Sequence, residues 1–286
     1  MSSLTDAPGR DERVVCVLRA IDEGQRAATI AAWAGALADG LGVPLDLVGV
    51  AEALAPVGIT PVPGVPLASV PEVAALQEPP VDLTAVAERA GVRPASRREL
   101  PGPVAGVLEE LAAEPLTALI VVGDDGDGAL WSAISGAPIR RALRELPAPL
   151  VLVPHGVRRP QATRWRVAAG IMNPEQCRPV LSIASALAQR LDGELILLAD
   201  GASQATATEQ ASDLLPSDAR PRTELLPEDP AAVLGDVLAH GDADLLVLAP
   251  PERGLLASAI LGSVFHAVAA GGHGPIVVAP GAAPPS

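Results

Sequence analysis

An internal repeat is the feature that most constrains what this chain can fold into. Residues 119–123 align with residues 245–249, and residues 149–154 align with residues 275–280, both at an offset of 126 positions. A repeat with a fixed offset predicts that one structural unit occurs twice. With 286 residues, the chain is long enough for two domains that each bury a core of their own.

The two halves differ in length because the first carries a proline-rich insertion. The helical segment that ends at Leu41 matches the one that ends at Leu191, an offset of 150, so the first half has 24 extra residues after Val50. Prolines crowd between residues 56 and 71, and such a segment cannot continue a helix or a central strand. We expect an insertion near 54–80 that is either a solvated surface loop or a lid or partner-docking arm.

Short aliphatic runs alternate with helical patterns along the first half. The predicted elements are strands at 14–21, 45–50, 119–123 and 150–153, helices near 26–41, 83–90 and 138–145, and a further apolar segment at 104–113. Continuous apolar runs are typical of strands buried on both faces, so their alternation with helices predicts parallel βαβ units. Each half should therefore be an open, doubly wound, Rossmann-like α/β sheet with its ligand chemistry at the carboxyl ends of the strands.

Composition excludes several classes of partner. The formal charge is −14, and the chain has one Phe, no Tyr and three Trp, so it repels nucleic acid and anionic membranes and lacks stacking platforms for bases. The two cysteines are too few for a disulfide framework and suit a reducing cytoplasm. The four histidines show no metal-ligand spacing, so no metal site is predicted.

A glycine pattern follows the strand predicted at 119–123. Gly123, two residues, Gly126, nine residues and Gly136 form a loop whose glycines can bring backbone N–H groups close to phosphate oxygens, helped by the start of the next helix. The alternative is that these glycines only make a tight turn from strand to helix. Together with Asp22 after the first strand, the spacing resembles the nucleotide loop of the universal stress protein family, and the resemblance covers nearly all of residues 13–281.

The resemblance implies a fold, a division into domains and a ligand. The fold would be two tandem domains of the adenine nucleotide alpha hydrolase type, with a tail at 1–12, domain 1 at 13–157, a linker at 158–164 and domain 2 at 165–282. ATP or AMP, with or without Mg²⁺, would lie across the strand ends of domain 1, with the aspartate near adenine or ribose and the glycine loop on the phosphates. The implied pocket consists of Asp22, Val50, Val122, Gly123, Gly126, Gly136 and Ala137.

The first-half loop departs from the family pattern in two ways. Ala137 stands where the family usually has Ser or Thr, and Asp124, Asp125 and Asp127 add negative charge. Carboxylates repel triphosphate unless a cation such as Mg²⁺, which favours oxygen ligands, bridges the two. Nucleotide binding by the first half and a site without nucleotide both stay open.

The second half departs further. Ala249 and Glu252 replace the first two glycines, Pro250 lacks an N–H to donate, and Asp200 takes the place of Val50. By the offset of 150, Asn173 or Met172 falls where Asp22 would be. We expect this half to be a structural companion, with a site for a different ligand as the alternative.

No catalytic residues are predicted. A P-loop lysine motif is absent from the sequence, and no nucleophile, base and oxyanion donor occur together. The resemblance therefore implies a cytoplasmic regulatory or stress-response protein rather than an enzyme, and the alternative is a scaffold that binds an unknown protein partner. By analogy with homodimers of single-domain family members, the strands at 150–153 and 276–278 would meet across a pseudo-two-fold axis, and a further homodimer stays open.

Overall fold

A computed structural model describes residues 12–19, 22, 24–51, 81–123, 146–154, 156–160, 164–215, 221–226, 230–250 and 274–280. The predicted insertion at 54–80 and the predicted helix at 138–145 lie outside these residues, as do Gly126, Gly136 and Ala137 of the predicted pocket.

The strands of the described residues form one ten-stranded sheet in the order β3-β2-β1-β4-β5-β10-β9-β6-β7-β8. The first-half strands are β1 (Arg13–Arg19), β2 (Leu45–Ala51), β3 (Ser96–Pro101), β4 (Thr117–Gly123) and β5 (Leu150–Val153). Those of the second half are β6 (Arg166–Ile171), β7 (Glu194–Ala199), β8 (Arg222–Leu225), β9 (Leu245–Leu248) and β10 (Ile276–Val278). From the outer edge to the middle of the sheet, the order of the second half, β8-β7-β6-β9-β10, matches the order of the first, β3-β2-β1-β4-β5. This match confirms the predicted pair of open α/β sheets.

The two half-sheets join at a seam between β5 and β10. These strands pair antiparallel, whereas every other strand pair in the sheet is parallel. The paired residues are Ile276 with Leu152, Val277 with Val151 and Val278 with Leu150. This pairing confirms that the last strands of the halves meet, and it reverses strand direction, so the carboxyl ends of the two half-sheets lie at opposite edges.

Six α-helices cover the sheet in the described residues. They are α1 (Gly24–Leu41), α2 (Leu83–Ala90), α3 (Val104–Ala113), α4 (Cys177–Arg190), α5 (Gln204–Leu214) and α6 (Pro230–Ala239). Helices α1, α2, α4 and α5 bury their apolar sides on one face of the sheet, and α3 and α6 pack on the other. None of the described helices is both long and apolar enough to span a bilayer.

Side chains of the two halves also meet beside the seam. The ring centroids of Trp33 in α1 and Trp165 before β6 lie 6.2 Å apart, and both rings are buried. Nη2 of Arg190 in α4 lies 2.7 Å from the carboxylate of Glu12 in the first half, and both side chains are at least nine-tenths buried. The halves are therefore held together by backbone pairing, aromatic packing and a buried ion pair.

Strand β3 was absent from the predicted elements. Its residues alternate between half-buried and exposed, with arginines at positions 97 and 98, because it is the outermost strand and only one neighbour, β2, covers it. An edge strand of this kind lacks the continuous apolar run on which the other strands were recognised, and its charge discourages pairing with other chains. Of the predicted first strand at 14–21, residues 14–19 lie in β1, and residues 20 and 21 lie outside the described residues.

Both cysteine thiols are expected to be unreactive in the folded protein. Cys16 and Cys177 are fully buried and not bonded to each other. Burial raises the pKa of the Cys16 thiol, as does the nearby Asp22, and burial with Asp200 raises the pKa of Cys177, so both stay protonated at neutral pH. A thiol-reactive chromophore at pH 8 should label neither until guanidinium is added and both then react. Rapid labelling of one thiol without denaturant would contradict this placement.

Candidate ligand site at the strand ends

Asp22 lies just beyond β1 and is almost completely buried. Its Oδ2 accepts hydrogen bonds from the backbone N–H and the Nε of Arg19, at 2.9 and 3.3 Å, and its Oδ1 accepts from Nη2 of Arg19 at 3.3 Å. Nε of Arg26, in the first turn of α1, lies 3.4 Å from the same Oδ1. One carboxylate is therefore shared by two guanidinium groups.

Arg19 ties Asp22 to the end of β4. Besides holding the carboxylate, its Nη2 donates a hydrogen bond of 3.0 Å to the backbone oxygen of Gly123. A Cβ built on Gly123 would lie 3.5 Å from Oδ1 of Asp22, so the two predicted site residues are neighbours. They meet between β1 and β4, where the strand order of the first half reverses. In open α/β sheets this is where ligands bind.

Two further predicted residues lie at the same edge of the sheet. Val50 pairs with Arg19 in the ladder between β1 and β2, and Val122 pairs with Val17 between β1 and β4. Both valine side chains are buried in the core on the face that α3 covers. The structure thus brings Asp22, Val50, Val122 and Gly123 to one edge of the sheet.

Arg19 and Arg26 were not among the predicted site residues. Both are close to Asp22 in sequence, three residues before and four after it. That spacing was the sequence signal for an ion pair with Asp22. Whether the guanidinium groups point toward Asp22 depends on the bend between β1 and α1.

Gly123→Ala is expected to destabilise the fold, because a Cβ at this position would overlap the side chain of Ile30 in α1. Overpacking of this kind costs about 1–3 kcal/mol of unfolding free energy, measured by urea denaturation. Gly106→Ala is the matched control. A Cβ there would meet only Pro103, at 3.9 Å, and alanine in helix α3 should stabilise by up to about 1 kcal/mol. Equal effects of the two variants would contradict the close packing of Gly123.

Among the described residues of the second half, no buried carboxylate takes the place of Asp22 at the end of the corresponding strand. Val14 pairs with Leu45 and Val167 pairs with Leu195, so β1 and β6 are 153 positions apart and not 150. Counted from the strand, the place of Asp22 falls on Glu175, which is exposed in a short 3-10 helix at Pro174–Gln176. The alignment of Asn173 or Met172 with Asp22, counted from the helix, stays a prediction, because the first half has three more residues (153 minus 150) than the second between the strand and the helix.

The second-half residues that correspond to the site residues of the first half stabilise local turns. The side chain of Asn173 accepts a hydrogen bond of 2.9 Å from the backbone N–H of Glu175 and so caps the 3-10 helix. Asp200 accepts one of 2.7 Å from the N–H of Ser203, before α5. Ala249 and Pro250 follow β9, while Pro251 and Glu252 lie outside the described residues. Over the described ranges no group of three or more His, Cys, Asp or Glu side chains is arranged to hold a metal ion.

Comparison with known proteins gives structural matches only. No protein-family model matches this sequence, and no curated protein does. A universal stress protein from Archaeoglobus fulgidus DSM 4304 superposes with a TM-score of 0.58 and 12% identity, over 95% of this chain and 99% of that one. A functionally unknown protein from Pseudomonas aeruginosa PAO1 gives a TM-score of 0.54 and 16% identity, over 98% of this chain and 94% of that one. Both likenesses concern the fold, and they extend over both halves.

Proposed function

We propose, from the fold that this chain shares with universal stress proteins over nearly its whole length, that it is a cytoplasmic regulatory protein of the stress response, not an enzyme, whose first half binds ATP or AMP. The observation that supports a ligand site most strongly is the meeting of Asp22 and Gly123 where the strand order reverses. The division into domains at residues 158–164 belongs to the same proposal.

The contacts of Asp22 suggest how a ligand would enter. Adenine or ribose donors can reach this carboxylate only by displacing one of the groups that now surround it. Arg19 holds it through three hydrogen bonds and also holds Gly123, whereas Arg26 approaches it only through Nε at 3.4 Å. Arg26 is therefore the partner that yields, and its release from the first turn of α1 would be the response to the ligand.

Magnesium is expected to matter more for ATP than for AMP. Asp124, Asp125 and Asp127 follow Gly123 directly in the sequence, so a triphosphate held by Gly126 and Gly136 would meet several carboxylates. Mg²⁺ bridges such carboxylates and phosphate oxygens. AMP carries fewer charges and would need the cation less.

Isothermal titration with ATP and AMP, each with and without Mg²⁺, tests the proposal. The expected result is one site per chain, with Mg²⁺ tightening ATP more than AMP. Replacing Asp124 with Ser and Asp125 with Arg should tighten ATP binding in the absence of Mg²⁺, and the same replacements at exposed Asp213 and Asp192 serve as the control. Absence of heat at millimolar nucleotide would overturn nucleotide binding.

A scaffold that binds a protein partner is the second candidate. The contacts of Asp22 favour this candidate, because the carboxylate already accepts three hydrogen bonds from Arg19 and lies 3.4 Å from Nε of Arg26. In this case the ion cluster is a structural clasp between β1, β4 and α1. The titration separates the two candidates, since a clasp would leave the heat of nucleotide addition at the buffer level.

The second half would act as a structural companion in either case. It supplies β10 to cover the open edge of β5, and it supplies Trp165 and Arg190 to the contacts beside the seam. An uncovered aliphatic strand such as β5 would invite pairing with other chains.

A further inference from the structure

A cleft with a volume of about 580 Å³ opens between the first turns of α1 and the segment that follows β5. Its lining residues are Gln25, Arg26, Thr29, Ile30, Val153, Pro154, Gly156, Val157, Arg158 and Arg159. We propose that this cleft binds the phosphoryl group of a small molecule through Arg26, Arg158 and Arg159. The proposal does not rest on nucleotide binding at Asp22 and Gly123, because Arg158 and Arg159 take no part in that site, although Arg26 contacts Asp22 and also lines the cleft.

The charge of the cleft is opposite to that of the chain. Of the ten described lining residues three are arginines and none is acidic, although the chain as a whole carries a formal charge of −14. Arg26 shares Asp22 with Arg19, while the described residues provide no carboxylate within ion-pair distance of Arg158 or Arg159. Guanidinium groups gathered without carboxylates attract an anion, and their planar forks match phosphate oxygens.

A buried N–H group of Arg26 has no acceptor. Its Nη2 is shielded from solvent, and within the described part of the chain no oxygen accepts a hydrogen bond from it. A buried donor left without an acceptor costs free energy, and the cost is larger for a charged group. Since Arg26 lines the cleft, an anion there could supply the missing acceptor.

The segment that carries the other two arginines is fixed in place. Nε1 of Trp33 in α1 donates a hydrogen bond of 2.8 Å to the backbone oxygen of Arg158, and Nη2 of Arg159 donates one of 2.6 Å to the backbone oxygen of Arg89 in α2. The first bond uses only the main-chain oxygen of Arg158, so the Arg158 guanidinium remains available. The arginines are thus presented by an anchored segment, which lowers the entropic cost of binding.

The first turn of α1 carries a guanidinium group, while the described carboxylate next to it, that of Asp22, precedes the helix. This turn contains Arg26 and no Asp or Glu, although negative charge is what stabilises a helix N-terminus. A Cβ built on Gly24 would lie 3.5 Å from Nη1 of Arg89, so a further guanidinium group stands at this end. A bound phosphoryl group would offset both the helix dipole and the repulsion among the arginines.

The test is isothermal titration of the full chain with inorganic phosphate, pyrophosphate and AMP, with sulfate as a comparison anion. The double variant Arg158→Gln/Arg159→Gln removes two exposed guanidinium groups and keeps the backbone bond to Trp33. Arg93→Gln/Arg97→Gln is the matched control, because it removes the same charge from exposed residues near β3 that do not line the cleft.

Pyrophosphate is expected to bind the wild-type chain and to lose at least about tenfold in affinity in the cleft variant, as for the loss of a charge-assisted hydrogen bond, with less than about twofold change in the control. If phosphate and pyrophosphate bind as well as AMP, the group recognised is the phosphoryl group itself. If AMP alone binds and also weakens in the cleft variant, the source is a phosphate monoester with an organic part.

Absence of binding by all the phosphate probes, or equal weakening in the two double variants, would overturn the proposal. The result is separable from that for the strand-end site. AMP or ATP that binds with unchanged affinity to the cleft variant, with no binding of phosphate or pyrophosphate to the wild-type chain, would support nucleotide binding near Asp22 and refute the cleft. If pyrophosphate binds only when Arg158 and Arg159 are present, and ATP and AMP bind no more tightly than pyrophosphate, the result would support the cleft and refute nucleotide binding.

Discussion

Asp22→Asn is expected to lower the free energy of unfolding by about 3–5 kcal/mol, the range for breaking a buried ion pair by removing one partner. The amide keeps the shape of the carboxylate but places an NH₂ group where Arg19 or Arg26 now donates. Arg19 is 6% exposed, so its charge would be left in a poorly solvated place without the carboxylate that now accepts two hydrogen bonds from its guanidinium group. Urea denaturation followed by circular dichroism measures the loss.

The control for this variant is Asp39→Asn in the same half. Asp39 is exposed on α1, and no described side chain forms an ion pair with it, so the same chemical change should alter stability by less than about 0.5 kcal/mol. A loss below about 1 kcal/mol in Asp22→Asn would mean that the buried cluster does not hold β1, β4 and α1 together.

Val277→Asp is expected to unfold both halves of the protein, with a loss above about 4 kcal/mol. Val277 is fully buried in β10 between Val151 of β5 and Val247 of β9. An aspartate at this place would put an unpaired carboxylate in the apolar core. Because the seam supplies the only sheet pairing between the halves within the described residues, the first half would lose its partner at the same time.

Val43→Asp makes the same substitution in a half-buried turn between α1 and β2, and the fold should tolerate it with a much smaller loss. Urea denaturation of both variants, followed by circular dichroism and tryptophan fluorescence, provides the comparison. If Val277→Asp lost only part of its helical signal at low urea and kept a cooperative transition for the rest, the halves would be independent and the seam would not couple them.

The sequence was sufficient for the fold because the central strands carry the signal on which parallel sheets depend. β1, β2, β4 and β5 are continuous apolar runs, and the repeat placed their counterparts in the second half. β3 was missed for the opposite reason, since an outer strand alternates in burial and accepts charged side chains. Strand register also showed a difference that the sequence alone did not give, since β1 and β6 are 153 positions apart although the helices that follow them are 150 apart.

The candidate site was predictable in part. Asp22 and Gly123 follow strands whose carboxyl ends meet, so their proximity could be expected from the topology. The partners of Asp22 could not, because the direction of Arg19 and Arg26 depends on the bend after β1. The cleft was hidden for a similar reason, since residues 158–164 were interpreted as a linker, and only the bond from Trp33 to the oxygen of Arg158 shows that its start packs against α1.

The halves therefore differ in what their strand ends provide. In the first half a buried carboxylate, a close-packed glycine and a cleft lined by arginines lie around the start of α1. At the equivalent edge of the second half, Asn173 and Asp200 serve local turns and the place of Asp22 is taken by an exposed glutamate. We infer that the first half responds to a ligand and that the second half supports its structure.

Hydrogen–deuterium exchange with and without saturating ATP and Mg²⁺ measures which half responds to the ligand. We expect slower exchange in residues 24–30 at the start of α1 and in residues 117–123 of β4, with no change in residues 166–177 or 245–249 of the second half. Equal protection in both halves, or protection in the second half alone, would contradict the account.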